Sequence, residues 1–189
     1  VLNGDFGAKG YDPVKGKELW FCKSFNGRGS PVPFHANGLI YVVNGKPGDL
    51  YVVDPNGSGD ITKTNMAWHA KRNGGRDLPS PAVIGDFVLV TAMGGVTTCY
   101  DAKTGKNHWV DRLEGAFSGS PLISNGLYYI QNEAGVAYVV RPNKKALEIL
   151  YRNDLGASTD EIFRATLSPI DGKVYTRSQA TLYCLNGEN

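Results

Sequence analysis

The chain has 189 residues, of which 20 are basic and 18 acidic, and its formal net charge is +2. This balance gives no strongly basic surface of the kind that binds nucleic acid or an anionic membrane. No apolar run approaches the roughly 20 residues of a membrane-spanning helix. The 24 glycines fall between short apolar runs, so they predict turns rather than a flexible linker.

An eleven-residue phrase that occurs twice organises the chain. Residues 10–20 read GYDPVKGKELW and residues 99–109 read CYDAKTGKNHW. Both have Asp as the third residue, Gly-Lys as the seventh and eighth, and Trp as the last. A phrase repeated at long spacing indicates an array of similar structural units.

Three markers recur along the chain at intervals of roughly 40 to 50 residues, a period typical of repeat proteins. The Asp position is Asp12, Asp54, Asp101 and Arg141; the Trp position is Trp20, Trp68, Trp109 and Tyr151; the Ser-Pro position begins at Ser30, Ser80, Ser120 and Ser168. The predicted repeats are therefore 1–29 (partial), 30–75, 76–115, 116–156 and 157–189 (partial).

Each repeat is predicted to contain four short strands. The opening residues already predict a strand, a turn and a strand, so the first repeat is incomplete. Later repeats show runs rich in Val, Ile, Leu and Tyr that are separated by turn residues. The hairpin signals are Asn37-Gly38, Gly85-Asp86, Asn125-Gly126 and Asp171-Gly172. No segment shows sustained helical periodicity, and residues 154–166 offer at most one short helical turn.

Four-stranded antiparallel units of this length predict an all-β fold, a β-propeller with about three full blades and a partial blade at each end. One blade has two apolar faces and cannot cover both, so neighbouring blades must pack face to face. The partial repeats predict a fragment of a larger propeller, completed by further blades of the same chain or of another one.

The repeated phrase resembles the tryptophan-docking motif of propeller repeats of the pyrroloquinoline quinone (PQQ) type. The residues with a predicted docking role are Asp12, Gly16, Trp20, Trp68, Asp101, Gly105, Trp109 and Tyr151. The expanded loop between Asp54 and Trp68 departs from the motif, as do Arg141 and Tyr151. The Gly-His and Trp-Asp pairs of WD repeats are absent, and the kelch pattern appears only once.

The resemblance implies one of two functions. Quinoprotein dehydrogenases of the family oxidise alcohols or sugars with PQQ and calcium, whereas other members keep the scaffold without a cofactor. The adjacent cysteine pair typical of the alcohol-oxidising enzymes is missing. The chain therefore favours a non-catalytic module that binds a protein or a small ligand, and the alternative is a fragment of a PQQ- and calcium-dependent dehydrogenase. A hydrolase is a distant third, because no nucleophile constellation is present.

The other reactive residue types give no catalytic or metal-binding pattern. Cys22, Cys99 and Cys184 are predicted to be free thiols that fill the core. The three histidines, His35, His69 and His108, lack metal-ligand spacing. The adjacent acids Asp160 and Glu161 are predicted to form a solvated loop. No cofactor is evident; PQQ and calcium belong to the alternative function alone.

One pattern predicts binding. Connections that lead into the Ser-Pro strands carry the residues Arg28, Arg76, Asp77, Phe117 and Arg164. In a propeller these connections are expected near the mouth of the central channel, where guanidinium groups suit a carboxylate or another anion. In the competing interpretation, these arginines pair with nearby acidic residues instead. Family resemblance alone places the protein in the periplasm or outside the cell.

Overall fold

A computed structural model of the chain describes residues 1–4, 6–23, 29–44, 48–72 and 78–186. These residues form five β-sheets, numbered here in chain order. The strands of sheet 1 are β1 (Leu2–Gly4), β2 (Gly7–Tyr11) and β3 (Glu18–Lys23); those of sheet 2 are β4 (Phe34–Ala36), β5 (Leu39–Val43), β6 (Leu50–Val53) and β8 (Met66–Ala70). Sheet 1 also includes β7 (Gly59–Asp60), which comes from the second repeat.

The remaining three sheets repeat the same plan. Sheet 3 has β9 (Ala82–Ile84), β10 (Phe87–Thr91), β11 (Val96–Asp101) and β12 (Asn107–Arg112); sheet 4 has β13 (Leu122–Ser124), β14 (Leu127–Gln131), β15 (Val136–Arg141) and β16 (Glu148–Asp154); sheet 5 has β17 (Ser168–Ile170), β18 (Lys173–Arg177) and β19 (Leu182–Asn186). Strands consecutive within a sheet pair antiparallel, and only the pair β3–β7 is parallel among the described strands. No helix in the described ranges has the length and apolar character needed to cross a membrane.

The first hairpins of sheets 2, 4 and 5 each follow from two turn residues. Asn125 and Gly126 have φ of 50° and 74°, and Ser124 pairs with Leu127 across the turn. Two consecutive positive φ values define the turn that matches the twist of an antiparallel pair, and Asn-Gly adopts it readily. Asn37-Gly38 and Asp171-Gly172 have the same geometry. The predicted hairpins therefore set the register of these strands.

The core consists of layers between neighbouring sheets. One cluster joins sheets 1 and 2 through Trp20, Cys22 and Ile61, a second joins sheets 2 and 3 around Tyr41 and Val88, and a third joins sheets 3 and 4. The strands of a sheet that is covered on both faces have nearly continuous apolar sequences. In sheet 2, for example, the neighbouring residues Val42 and Val43 are both fully buried. The stack of sheets is thus the means by which each repeat buries its two faces.

The Ser-Pro marker has a structural role at the first strands. The Ser80 backbone N–H donates to Ser120 Oγ (3.1 Å), and the Val32 N–H donates to Ser80 Oγ (3.0 Å). These bonds link the entrances of sheets 2, 3 and 4. The recurrence of Ser at this position therefore satisfies backbone donors where successive repeats meet.

Two sequence predictions about the strands are wrong. Cys184 was expected in the core but is exposed, because no further sheet covers its face of sheet 5 within the described residues. The segment around Gly59 was expected to be only a loop. It forms β7 and pairs with β3 of sheet 1, with Trp20 opposite Gly59, so one repeat contributes a strand to its neighbour.

Candidate functional site

The junction between sheets 2 and 3 is built around Trp68. Its indole Nε1–H donates to the Ala102 carbonyl (3.1 Å), which also accepts from the Tyr41 hydroxyl (3.0 Å). Gly105 lies under the indole, since a Cβ there would lie 2.6 Å from Trp68 Cε3. A tryptophan of one sheet thus packs on the turn of the next, and both sheets contribute to the contact.

That turn is shaped by Asp101. Its Oδ1 accepts bonds from the Thr104 hydroxyl and N–H (both 2.8 Å) and from the Lys103 N–H (3.1 Å). The Thr104 hydroxyl, followed by these backbone donors, lowers the pKa of the Asp101 carboxyl. Gly105 has φ of 71°, and its N–H donates to the Asp101 carbonyl (2.9 Å). Asp12 and Gly16 form the same turn in sheet 1.

The junction between sheets 3 and 4 uses an acceptor that the sequence prediction missed. Trp109 is 8% exposed, and its Nε1–H donates to the Asn143 carbonyl (2.9 Å). Asn143 Oδ1 accepts from the Lys145 N–H (2.7 Å) and the Ala146 N–H (3.1 Å). Asn143 therefore takes the role of the turn aspartate, two residues after Arg141. The sequence could have indicated this role, because Asn forms the same side-chain turn as Asp.

The junction between sheets 1 and 2 has a different construction. Trp20 is 4% exposed and packs over Gly10 of its own sheet, where a Cβ would lie 2.3 Å from the indole. The long loop after Asp54 lies along β3 instead: the Ile61 N–H donates to the Phe21 carbonyl (2.9 Å), and the Lys23 N–H donates to Thr62 Oγ1 (2.8 Å). Backbone pairing here joins the two repeats.

Tyr151 does not occupy the docking position predicted for it. Its side chain is 64% exposed. It lies on β16, paired with Val139, and no hydrogen bond of its hydroxyl is found in the part of the chain that the structure describes. The prediction is wrong for Tyr151, because the sheet 5 residues described here place no docking turn against it.

The connections between sheets form a second layer of contacts. The Phe117 N–H donates to the Met93 carbonyl (2.8 Å), and the Phe163 N–H donates to the Glu133 carbonyl (2.9 Å). Each connection thus crosses the hairpin of the preceding sheet. We call this surface, made by residues 113–119 and 161–165 with hairpins 92–95, 132–135 and 178–181, the connection layer.

Phe117 is not a ligand-binding residue, which corrects the sequence prediction. Its side chain is fully buried in the cluster between sheets 3 and 4, with its ring centroid 6.1 Å from that of Tyr138. Phe163 is its counterpart, buried and 5.4 Å from the ring of Tyr183. A single aromatic residue in a polar connection points inward because exposing it would forfeit the burial of its large apolar surface.

Arg164 lies on the exposed side of the connection layer. Its Nε is 3.4 Å from Glu133 Oε1, and the Ser118 hydroxyl donates to the same carboxylate oxygen. Arg164 also lines a cavity of about 310 Å³ together with Ile162, Ala165, Arg177, Ser178 and Gln179. The structure therefore pairs Arg164 with an acid and places it beside a second arginine.

Arg177 was missed by the sequence prediction. It ends β18, at the position that Val43, Thr91 and Gln131 occupy in the other sheets. The sequence did contain a signal for Arg177, because the equivalent residues of the other repeats carry no charge. No ion pair of Arg177 is found among the described residues. Of the two arginines that line the cavity, Arg164 is therefore paired with an acid there and Arg177 is not.

Glu161 contacts Ser178, one of the residues that line the cavity. Its carboxylate accepts from the Tyr183 hydroxyl (2.8 Å) and from the Ser178 hydroxyl. These hydroxyls, with Ser178 first, lower the pKa of Glu161. Glu161 lies in a loop, as predicted, and the two hydroxyls favour its ionised form.

Arg28, Arg76 and Asp77 lie outside the described residues. His69 stacks on Tyr51 with ring centroids 4.3 Å apart, and its Nε2 is 3.1 Å from Asp49 Oδ2. No group of three or more His, Cys, Asp or Glu side chains lies close enough to hold a metal ion within the described ranges.

The stack of four-stranded sheets joined by tryptophan contacts defines the class of the protein: it is a β-propeller protein. A family model described as outer membrane protein assembly factor BamB matches residues 48–189. The chain therefore belongs to this family of PQQ-like repeat propellers, which confirms the resemblance inferred from its repeated phrase.

Solved structures show the same fold at low sequence identity. BamB from Moraxella catarrhalis is 16% identical, with a TM-score of 0.73, over 94% of this chain and 51% of that one. The C-terminal WD40 domain of Sif2 is 12% identical, with a TM-score of 0.74, over 95% and 51%. The quinohemoprotein alcohol dehydrogenase ADHIIG from Pseudomonas putida HK5 is 16% identical, with a TM-score of 0.64, over 85% and 30%.

The chain spans about half the length of the first two of these proteins and less than a third of the dehydrogenase. Among curated proteins, no sequence gives a significant match. At these identities the structural likeness establishes the fold and nothing about activity.

Proposed function

We propose that the protein is a non-catalytic propeller scaffold that binds an acidic segment of a partner protein through the connection layer. The observation that carries the proposal is the placement of Arg164 and Arg177 on one open cavity of about 310 Å³. Guanidinium groups bind carboxylates through paired hydrogen bonds. Two of them on one cavity therefore suit an acidic side chain or a chain terminus.

The family description supports the same function. It names an outer membrane protein assembly factor, which implies contact with other proteins rather than chemistry on a small substrate. An extracytoplasmic location is part of the proposal on the same ground. Fractionation of cells that produce the tagged protein tests the location, and recovery of the protein in the cytoplasm alone would contradict it.

The binding surface is tested with peptides of defined charge. Hexaglutamate is titrated into the protein by calorimetry, with hexaglutamine as the uncharged probe. We expect binding of hexaglutamate only, weakened roughly tenfold or more by Arg177→Ala or Arg164→Ala, because a charge-assisted hydrogen bond contributes about 1.5–3 kcal/mol. Arg152→Ala, an exposed arginine on β16 near Asp154, is the control.

Two outcomes contradict the proposal: equal binding of both peptides, or unchanged affinity in both cavity variants. Arg177→Ala is the cleaner variant, since Arg164→Ala also removes the contact with Glu133. The predicted contribution of Arg28 and Arg76 to the same binding is tested by the equivalent alanine variants.

The alternative function, a PQQ- and calcium-dependent dehydrogenase, remains a prediction from family resemblance. The described residues offer no cluster of acidic side chains that fits a calcium ion, so no reaction step is assigned to them. Titration with PQQ and calcium chloride, followed by a dye-reduction assay with an alcohol or an aldose, distinguishes the two functions. Cofactor uptake with dye reduction would refute the scaffold proposal.

A further inference from the structure

One strand position sets sheet 3 apart from its neighbours. The strand register makes Thr98 of β11 equivalent to a tyrosine in sheets 2, 4 and 5, namely Tyr51, Tyr138 and Tyr183. The centroid of the Tyr138 ring lies 6.1 Å from that of Phe117, and the Tyr138 hydroxyl donates to the Glu114 carbonyl (3.1 Å). Tyr138 thus fills space between sheets 3 and 4, which the shorter Thr98 cannot do between sheets 2 and 3.

A second position differs at the same junction. Leu113, four residues after Trp109, is 1% exposed and belongs to the apolar cluster between sheets 3 and 4. The residue four positions after Trp68 is Arg72, which is 6% exposed. Burial of a leucine is favourable, whereas burial of a charged group costs free energy. Apolar packing therefore does not account for Arg72 at this position.

These two differences coincide with a cavity of about 280 Å³ between sheets 2 and 3, here the inter-sheet cavity. Three of its lining residues are buried and three are exposed: the buried ones are Arg72, Thr98 and Tyr100, and the exposed ones are Lys71, Asn107 and Val110. The cavity therefore reaches from solvent into the junction. Among the described residues, none lines both this cavity and the one in the connection layer, so the two are separate sites.

The charge that lines the inter-sheet cavity is positive. Arg72 and Lys71 are basic, and no acidic residue lines the cavity in the described part of the chain. The Arg72 Nη1–H donates to the Gly48 carbonyl (2.7 Å), so sheet 2 helps to fix the guanidinium. The Asp49 carboxylate accepts from the Arg72 backbone N–H (2.9 Å) and lies 3.1 Å from His69 Nε2. A fixed guanidinium beside an exposed ammonium group favours an anionic ligand.

We propose that the inter-sheet cavity binds a small aromatic carboxylate. The ligand's ring takes the space that the Tyr138 ring fills one junction later, and it packs against Tyr100 and Val110. The ligand's carboxylate accepts charge-assisted hydrogen bonds from Arg72 and Lys71. The cavity volume is close to the lower limit of about 300 Å³ for small-molecule sites, so it suits a single ring with one acidic group.

The test uses benzoate as the probe and benzyl alcohol as the uncharged compound with the same ring. Nuclear magnetic resonance titration of the isotope-labelled 189-residue chain measures the affinity and the location of binding together. We expect saturable shifts of the Thr98 and Val110 amides with benzoate. Benzyl alcohol should bind roughly tenfold more weakly or worse, because it lacks the charge that the two basic groups recognise.

Variants that copy the neighbouring junctions separate the cavity from its charge. Thr98→Tyr introduces the residue of the other sheets and should remove benzoate binding by filling the cavity, whereas Thr98→Val keeps the volume and should still bind. Arg72→Leu introduces the residue of the next junction. It should weaken benzoate binding roughly tenfold or more and leave that of benzyl alcohol nearly unchanged. Lys144→Ala, an exposed lysine outside the cavity, is the control.

Several results would overturn the proposal. These are no binding of benzoate by the unmodified chain, equal affinity for the two probes, or unchanged benzoate affinity in Thr98→Tyr. Shifts confined to the residues around Arg164 and Arg177 would also overturn it, because the probe would then bind at the connection layer. Lys71→Ala keeps the test decisive if the buried variants do not fold, since Lys71 is exposed. Weaker benzoate binding in Lys71→Ala supports the proposal, and unchanged binding contradicts it.

Discussion

The junction between sheets 3 and 4 and the junction between sheets 4 and 5 join similar repeats by different means. Trp109 is buried and bonded to the Asn143 carbonyl, whereas Tyr151, at the same position one repeat later, is exposed. Sheets 4 and 5 are joined instead by the buried hydrogen bond from Thr176 Oγ1 to Gln131 Oε1 (2.6 Å) and by Phe163 of the connection layer.

The difference shows which contact is common to both junctions. The connection layer is present at both junctions, since Phe117 and Phe163 each cross the hairpin of the preceding sheet. The tryptophan contact is present only where a turn of the next sheet lies beside it. The connections therefore join successive sheets at both junctions, whereas the tryptophan contact is found at only one of them.

The largest contrast is expected in thiol reactivity. Cys99 and Cys184 occupy equivalent positions, but Cys99 is covered by sheet 4. Burial raises the pKa of Cys99 to about 12 and that of Cys22 to about 11. A rise of about three units lowers the thiolate fraction on the order of a thousandfold.

Ellman's reagent at pH 8 and low protein concentration should therefore modify one thiol quickly in the folded chain and all three in urea. Mass spectrometry of the labelled chain should place the fast site at Cys184. Fast labelling of Cys99 would show that the sheets do not stack as described, and Cys184→Ser is the control that should remove the fast phase.

The next contrast is in stability. Trp109→Ala removes a buried indole and its hydrogen bond, and we expect a loss of about 3–5 kcal/mol in the free energy of unfolding. Tyr151→Ala removes an exposed side chain and should change it by less than about 0.5 kcal/mol. Urea unfolding followed by circular dichroism gives both values, and equal losses would show that Tyr151 also docks.

A smaller contrast isolates the packing of Trp68 from backbone strain. Gly105 and Gly16 both have positive φ, 71° and 65°, but only Gly105 has a neighbouring indole within contact distance of a Cβ. Gly16→Ala should cost about 1–2 kcal/mol for the left-handed conformation. Gly105→Ala should cost about 1–3 kcal/mol more because the indole must shift. Identical costs in urea unfolding would contradict the docking of Trp68 on this turn.

Much of this fold was predictable because the repeat signals are local. Asp-to-Gly-Lys turns and Asn-Gly hairpins shape the chain within a few residues, and apolar runs between them define the strands. The propeller fold and the PQQ-like family were predicted in this way and are confirmed. Asn143 escaped prediction because its side-chain turn begins two residues after Arg141, which occupies the Asp position of the repeat.

The candidate site was less predictable because it depends on which side of a connection faces outward. Phe117 and Arg164 were grouped by their place in the sequence. The structure buries Phe117 and exposes Arg164, which pairs with Glu133 of the preceding sheet. Arg177 reaches the same cavity from a strand end. Such a juxtaposition depends on the packing of two repeats, which local signals do not specify.

The smallest expected contrast is in how the free energy of unfolding depends on acidic pH. Hydrogen bonds from Thr104 and Lys103 lower the pKa of Asp101 in the folded chain. The ionised carboxylate is therefore favoured by folding. Its contribution to stability is complete above the unfolded pKa of about 3.9 and is lost as the pH falls through the lower folded value.

Asp101→Asn should consequently be less stable than the unmodified chain at pH 7, and the difference should shrink below about pH 4. Urea midpoints of the variant and of the unmodified chain, measured from pH 7 down to pH 3, test this. Asp12→Asn extends the comparison to sheet 1, where Val14 and Lys15 donate to the carboxylate without a threonine hydroxyl. Its acid-dependent difference should be smaller than that of Asp101→Asn, because one hydrogen bond to the charged oxygen is missing. A difference that remains constant with pH for Asp101→Asn would mean that the carboxylate acts in the turn through its shape rather than its charge.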